Sequence, residues 1–108
     1  MKVIIGNKKG ELSRTDIENL AKNFDKTVLD IGTGDGRFVF EKAIKNPKNL
    51  YIGIDPAENQ LKIYSKKANR KKLQNTFLAI GSIENLPPEL FSLIDELYIN
   101  QPWGTLLE

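Results

Sequence analysis

Residues 28–37 read Val-Leu-Asp-Ile-Gly-Thr-Gly-Asp-Gly-Arg, an apolar run followed by three glycines at alternate positions. The apolar run predicts a buried strand, the glycines predict a tight loop, and the spacing of apolar residues over 37–45 predicts a helix. Glycines in such a loop let the backbone approach a ligand closely, and the following helix offers its N-terminal N–H groups. Since ligands of open parallel sheets bind at the carboxyl ends of the strands, this loop is a candidate binding site.

Similar apolar runs recur on both sides of the loop and alternate with segments of helical spacing. We predict strands over 27–31, 50–54, 76–80 and 97–99, and helices over 37–45 and about 57–72. Strands that alternate with helices are typical of a parallel sheet with helices on its faces. The expected fold is therefore α/β, with about four parallel strands and flanking helices.

The N-terminal residues show a different pattern. Residues 3–5 are apolar and predict a short strand, with a return strand at 11–12 after a glycine-containing turn. Ser13, three residues before Asp16, predicts an acidic variant of a capping box at the start of a helix over about 14–23. An N-terminal β-hairpin and a helix are thus expected before the α/β alternation begins.

Length and composition restrict the possible classes of protein. With 108 residues, of which 40% are hydrophobic, we expect one small domain with a thin core. It divides into an N-terminal hairpin and helix extension, 1–26, and the α/β alternation, 27–108, which contains the candidate binding loop. The absence of Cys and His excludes disulfides, zinc–thiolate sites and histidine-based triads, and no metal site is predicted. No run approaches the roughly 18 apolar residues of a membrane span, and we expect a soluble cytoplasmic protein with no membrane partner.

The charges of the loop distinguish between two nucleotide cofactors. The dinucleotide fingerprint Gly-x-Gly-x-x-Gly requires its third glycine where Arg37 stands, but the third glycine comes one residue early, at Gly36. A pyrophosphate would meet the carboxylates of Asp30 and Asp35, each close pair costing about 1–4 kcal/mol. S-adenosylmethionine carries a sulfonium, an ammonium and no phosphate, so these acids attract it. Asp55, at the end of the next predicted strand, is placed to accept both ribose hydroxyls. The pattern therefore favours S-adenosylmethionine over NAD, and a P-loop is excluded because no Gly-Lys-Ser/Thr follows.

The basic side chains are concentrated in one segment. Residues 62–72 carry six basic side chains and no acidic one, whereas the rest of the chain has more acidic than basic side chains. At about 100° per residue, the basic residues fall on one side of the predicted helix and the apolar residues on the other. Such a face can contact a phosphate backbone without reading its sequence. The candidate RNA-binding residues are Lys62, Lys66, Lys67, Arg70 and Lys71.

Four segments together carry a resemblance to a known family. They are residues 30–37, residues 51–56 (Tyr-Ile-Gly-Ile-Asp-Pro), residues 86–87 (Leu-Pro) and residues 102–108 (Pro-Trp-Gly-Thr-Leu-Leu-Glu). The chain resembles the aminoglycoside-resistance methyltransferases of the kanamycin–apramycin type, which modify N1 of adenine 1408 in 16S rRNA. The resemblance implies a Rossmann-like class I methyltransferase fold with S-adenosylmethionine as cofactor. Members of that family are roughly double this length, so the chain corresponds to an N-terminal half, a truncated form of the fold.

The resemblance also implies which residues bind the cofactor. The glycine-loop residues would shape the methionine side of the pocket, Asp55 would bind the ribose, and residues 82–84 would lie at the adenine. The full set of expected cofactor-binding residues is Asp30, Gly32, Thr33, Gly34, Asp35, Gly36, Asp55, Pro56, Ser82, Ile83, Glu84 and Thr105. The family usually has small residues where Ser82 and Ile83 stand, which is a departure in the adenine pocket.

The same resemblance implies how the target would be held. Trp103, preceded by Pro102, would stack on an adenine flipped out of its helix, and base stacking contributes about 1–3 kcal/mol. The family usually has an apolar residue where Gln101 stands. The expected partner is the 16S rRNA of the 30S ribosomal subunit.

Three alternative functions stay open from the sequence. The chain could be an S-adenosylmethionine-binding module without turnover, a methyltransferase with another RNA or a small-molecule substrate, or a non-catalytic NAD-type fragment. For the module, the fourth predicted strand would be an exposed apolar edge, which is a natural site for self-association.

Overall fold

Four parallel strands form the centre of the molecule. The computed structural model describes residues 1–101 and 104–105, with side chains over 1–99. Its elements are β1 (Lys2–Ile5), β2 (Lys8–Glu11), α1 (Arg14–Ala21), β3 (Lys26–Ile31), α2 (Arg37–Lys45), β4 (Asn49–Asp55), α3 (Glu58–Arg70), β5 (Thr76–Ile80), a 3-10 turn (Pro88–Leu90), β6 (Glu96–Gln101) and β7 (Gly104–Thr105). The predicted α/β fold is confirmed.

The sheet order is β2-β1-β5-β4-β3-β6-β7. β5, β4, β3 and β6 are parallel, while β1 runs antiparallel to β5 and extends the sheet on that side. The predicted hairpin is present, but its return strand begins at Lys8 rather than at residue 11. The turn is shorter because Gly6 adopts φ +64°, which lets two residues reverse the chain.

The two faces of the sheet carry separate apolar clusters because alternate strand residues point to opposite faces. One face packs against α2 and α3 through residues such as Val28, Val39 and Leu61. The other packs against α1 and the 3-10 turn through residues such as Leu29, Ile17 and Leu90. The glycine loop and the basic segment therefore lie over the same face of the sheet, the α2/α3 face.

The helix ends follow local sequence signals. Ser13 and Asp16 form the predicted capping box, with N–H···O distances of 3.1 and 2.9 Å. α3 ends at Arg70, two residues earlier than predicted, since Lys72 adopts φ +55° and the Leu73 N–H donates to the Ala68 carbonyl at 3.0 Å. That is a Schellman-type termination. Among the described residues, none of the helices has the length and apolar character that a bilayer crossing requires.

Candidate cofactor and RNA-binding site

The glycine loop, residues 32–36, crosses from the carboxyl end of β3 to the start of α2. Gly32, Gly34 and Gly36 all adopt left-handed backbone angles, with φ of +75°, +62° and +90°. L side chains rarely adopt this region, which explains why glycine stands at each alternate position. The Gly32 and Thr33 N–H groups both donate to the Ile54 carbonyl at 2.9 Å and hold the loop against the end of β4.

Two glycines also provide space for the loop. A Cβ on Gly36 would lie 2.6 Å from a methyl carbon of Leu78, and a Cβ on Gly53 would lie 2.7 Å from Thr33 Oγ1. Gly53 belongs to β4, so its role is to let the loop lie flat on the sheet. By contrast, a Cβ on Gly34 would meet only Gln60 Oε1, at 3.8 Å, among its described neighbours. The outer side of Gly34 is therefore open to a ligand.

Asp55 lies at the end of β4 and connects the loop to α3. Its Oδ2 accepts a hydrogen bond from the Gly34 N–H at 2.9 Å, and its Oδ1 accepts one from the Ala57 N–H at 2.8 Å. A carboxylate has about four acceptor positions, so two remain for ligand hydroxyls. The half-buried Asp55 carboxylate can thus bind a ribose while it fixes the loop beside it.

The other two loop acids have different surroundings. Asp30 is fully buried, and the strand register places it beside Gly53 on β4 and Tyr98 on β6. Asp35 is half-buried, and its Oδ1 accepts a hydrogen bond from the Arg37 N–H at 3.0 Å, at the start of α2. A negatively charged carboxylate near a helix N-terminus is stabilising. Asp30 lies beneath the loop, whereas Asp35 lies at its surface.

The Arg37 guanidinium is paired with Glu41 rather than with these acids. Its Nε lies 3.2 Å from Glu41 Oε2, and this hydrogen bond raises the pKa of the Arg37 guanidinium. Its side chain is directed along α2 to the i+4 position. The loop itself therefore presents acids and backbone N–H groups, with no basic side chain over residues 30–36.

The predicted adenine segment lies at the same edge of the sheet. It follows β5, and the Gly81 N–H donates to the Asp55 backbone carbonyl at 3.3 Å. Ser82 Oγ accepts from the Asn85 N–H at 3.2 Å, while Ile83 and Glu84 are exposed. The structure thus brings residues 82–84 next to Asp55, with the apolar Ile83 side chain free to contact a ligand.

The predicted target-binding residues are only partly described. Pro102 and Trp103 lie outside the described residues. Thr105 belongs to β7, where it pairs with Asn100 of β6. No group of three or more potential metal ligands occurs among the described residues.

The outward face of α3, defined here as Lys62, Lys66, Lys67, Arg70 and Lys71, is exposed except for the half-buried Lys62. Among the described ion pairs, none involves these five side chains. The Lys67 ammonium lies 4.4 Å from the centroid of the Tyr64 ring. The Tyr64 N–H in turn lies 3.3 Å from the Asp35 carbonyl of the glycine loop. Tyr64 therefore contacts both the candidate cofactor loop and Lys67 of the outward face.

Two contacts of α3 had no signal in the sequence. Lys9 of β2 forms an ion pair with Glu58 at 3.0 Å, and the buried Ser65 hydroxyl bonds to the β1–β2 turn. Both join residues more than 45 positions apart, so only the sheet pairing of the hairpin could have indicated them.

Comparisons with known proteins agree with this geometry. Residues 2–108 match the family model described as "NpmA: 16S rRNA (adenine(1408)-N(1))-methyltransferase". A 16S rRNA (adenine(1408)-N(1))-methyltransferase from Escherichia coli is 39% identical over 112 residues, covering 100% of this chain and 51% of the relative. The chain thus spans about half the length of the curated relatives it matches.

Solved structures show the same relationship. The crystal structure of a 30S ribosomal A1408 methyltransferase from an uncultured bacterium matches with a TM-score of 0.89 and 38% identity, covering 96% of this chain and 51% of that chain. A mutant 16S rRNA (adenine(1408)-N(1))-methyltransferase from Catenulisporales acidiphilia, solved with cosubstrate SAM, matches with a TM-score of 0.86 and 30% identity, covering 96% of this chain and 53% of that chain. The family match, the identity and the fold together establish that this chain belongs to the NpmA family of 16S rRNA (adenine(1408)-N(1))-methyltransferases.

Proposed function

We propose that this protein takes part in S-adenosylmethionine-dependent methylation of N1 of adenine 1408 in 16S rRNA, giving aminoglycoside resistance. The chain would supply the cofactor site and one RNA-binding surface of that enzyme. The observation that carries the proposal is the Asp55 carboxylate, which accepts backbone hydrogen bonds from Gly34 and Ala57 and has acceptor positions left for ribose hydroxyls.

The charges and the open space of the loop fit this cofactor. Asp35 and Asp55 favour the ammonium and sulfonium groups, and the fully buried Asp30 lies beneath the loop. Gly34 leaves room for close approach. In this proposal Gly32, Thr33 and Gly36 shape the methionine side of the pocket through the loop backbone. The complex of the Catenulisporales acidiphilia relative with SAM supports the assignment.

The remaining cofactor contacts belong to the neighbouring loops. Pro56 would follow Asp55 along the ribose, and Ser82, Ile83 and Glu84 would border the adenine. The nearness of the Gly81 N–H to the Asp55 carbonyl supports a pocket shared between these loops. Thr105, in β7, would complete the pocket near the end of β6.

The reaction needs little acid–base chemistry from the protein. The bound cofactor supplies a methyl group on a positively charged sulfur. Adenine N1 has an in-plane lone pair, so no side chain has to remove a proton before attack. Orientation of the two reactants then provides most of the catalysis, and Trp103 with Pro102 would hold the flipped adenine by stacking. The lack of His and Cys is compatible with this chemistry.

The outward face of α3 would bind the phosphate backbone of the 30S subunit, and the protein would then act in the cytoplasm. All five of its side chains are cationic and carry no described ion pair. Contacts of this type position a protein on RNA and weaken as salt rises.

The test combines cofactor binding with methyl transfer. Calorimetry with S-adenosylmethionine should show binding that Asp55→Ala weakens about tenfold or more, because a hydrogen bond to a charged group contributes about 1.5–3 kcal/mol. Asp55→Asn keeps one acceptor oxygen and should lose less. Asp25→Ala, at the amino end of β3, serves as the matched control and should bind normally. Labelled methyl should appear in isolated 30S subunits, and uptake of NAD with no affinity for S-adenosylmethionine would contradict the proposal.

A second candidate is a cofactor-binding module without turnover that associates with itself. It is favoured by β6, whose residues 96–99 pair with β3 alone among the described strands. Exposed strand edges of this kind promote association. Sedimentation that depends on concentration, with S-adenosylmethionine bound and no label transferred to 30S subunits, would select this alternative.

A further inference from the structure

The β1–β2 hairpin is fixed against the middle of α3. The Ser65 hydroxyl accepts a hydrogen bond from the Gly6 N–H at 2.8 Å and donates one to the Ile4 carbonyl at 2.8 Å. Ser65 is buried, so both bonds are shielded from water. On the same side of the helix, the Asn69 amide lies 3.3 Å from the Cβ position of Gly6. Buried hydrogen bonds therefore hold the hairpin against α3.

An ion pair joins the hairpin to the start of the same helix. Lys9 of β2 lies directly opposite Ile4 of β1, and residues paired in this way point to the same face of the sheet. The Lys9 side chain therefore lies on the face that packs against α3. Its ammonium lies 3.0 Å from Glu58 Oε1. Glu58 is the one acidic residue within α3, Glu58–Arg70. Lys9 thus neutralises the single negative charge in an otherwise cationic helix.

Helix geometry places this pair next to the outward face of α3. At about 100° per residue, Lys62 follows Glu58 by about 40° around the helix, and Lys66 follows Lys62 by about the same angle. Ser65 and Asn69, which contact the hairpin, lie on the Glu58 side. Lys9 therefore cancels the acid of α3 where the hairpin meets the outward face, so this junction carries no net negative charge among the described residues of α3.

We propose that the hairpin supports RNA binding by the outward face of α3: Lys9 compensates Glu58, which lies beside that face, and Ser65 positions the hairpin. This proposal rests on the proposed function, since the RNA is the 16S rRNA of the 30S subunit. Lysines on an outer strand can also prevent edge-to-edge association, which is a different role for Lys9. The ion pair with Glu58 favours the RNA role, because edge protection requires no acidic partner on α3.

The test reverses the charges of the pair and measures binding to 30S subunits at several salt concentrations. Lys9→Glu places two uncompensated acids beside the RNA surface and should weaken binding about three- to tenfold. The exchanged pair Lys9→Glu with Glu58→Lys should restore binding to near the original value. Glu58→Gln should bind at least as tightly as the unchanged protein. Because an exposed pair contributes little to folding, all three variants should keep their unfolding temperature.

Two controls separate this inference from the proposed function. Lys22→Glu makes the same charge change at the end of α1, on the opposite face of the sheet, and should bind normally. Lys66→Glu should bind weakly. Normal binding by Lys9→Glu together with weak binding by Lys66→Glu would overturn the hairpin inference and leave the proposed function in place. A Lys9→Glu variant that changes only its sedimentation would also overturn it. Normal binding by both variants, or no binding by the unchanged chain, would overturn both.

Discussion

The glycine loop and the outward face of α3 both contact Tyr64 but differ in the substitutions that they tolerate. In the loop, three residues have left-handed backbone angles, and a Cβ on Gly36 would overlap Leu78. On the outward face of α3, Lys66, Lys67, Arg70 and Lys71 are exposed and form no described ion pair. The comparison teaches that the proposed cofactor site depends on backbone shape and packing, whereas the five side chains of the outward face of α3 act mainly through their charge. Variants can therefore affect the stability of the first and the affinity of the second.

The largest effect on folding is expected for Gly36→Ala. The methyl group would require φ +90° from an L side chain and would lie 2.6 Å from Leu78, so we expect a loss of about 2–4 kcal/mol in the free energy of unfolding. Denaturant unfolding measures it. Gly10→Ala is the matched control, since its Cβ would meet Val3 at an ordinary 3.5 Å and should cost much less. Equal losses in the two variants would contradict the role of packing in the loop.

An intermediate effect is expected at the contact between the hairpin and α3. Ser65→Ala removes the hydroxyl that satisfies the buried Gly6 N–H and Ile4 carbonyl, and should cost about 1–3 kcal/mol. Hydrogen exchange of the Gly6 amide should accelerate in the variant. Ser92→Ala, at an exposed position, is the control and should leave unfolding unchanged. An unchanged stability for Ser65→Ala would show that the hairpin is held by other contacts.

A smaller effect is expected from a charge pair at the N-terminus. The Met1 ammonium lies 2.5 Å from Glu89 Oε2, which raises the pKa of the ammonium above 8.0 and lowers the pKa of Glu89 below 4.5. The raised pKa gives stability that is complete below pH 8 and is lost as pH rises through the higher value. The lowered pKa gives stability that is complete above pH 4.5 and is lost as pH falls through the lower value.

The contribution of this pair to stability should therefore be greatest between about pH 4.5 and 8. When unfolding temperature is measured against pH, Glu89→Gln should reduce its decrease at both acidic and alkaline pH. The pair is partly buried, but the Glu89 side chain is 28% exposed and water reaches it, so the change should be small. An unaltered pH profile in Glu89→Gln would remove this pair as its cause.

The smallest effect on folding is expected for the outward face of α3. Lys66→Glu with Arg70→Glu changes two exposed side chains and should alter the free energy of unfolding by no more than about 0.5 kcal/mol. The same variant should lose affinity for 30S subunits and show a weaker dependence of binding on salt. Binding that keeps its salt dependence, or a large loss of stability, would break the distinction between the two regions.

Much of the fold follows from local sequence signals. The four parallel strands and the helices α2 and α3 were predicted within one or two residues, because apolar periodicity reports directly on burial. The capping box at Ser13 was also correct. The predicted start of β2 was wrong. The left-handed backbone angle of Gly6 allows a shorter turn, and the spacing of residues in the sequence does not reveal that conformation. The roles of the candidate site residues stay predictions.

The sequence by itself determined that acids stand in the glycine loop and at the end of β4, and that one side of α3 is basic, because these properties depend on residue order and helical period alone. Only the tertiary structure decided that the Asp55 carboxylate binds the Gly34 N–H, that Asp30 is fully buried, and that β1 joins β5 and brings Lys9 to Glu58. These contacts join residues more than 20 positions apart, or depend on which strands become neighbours. Which strands pair depends on contacts between distant parts of the chain that stabilise the whole molecule, and no local sequence pattern encodes it.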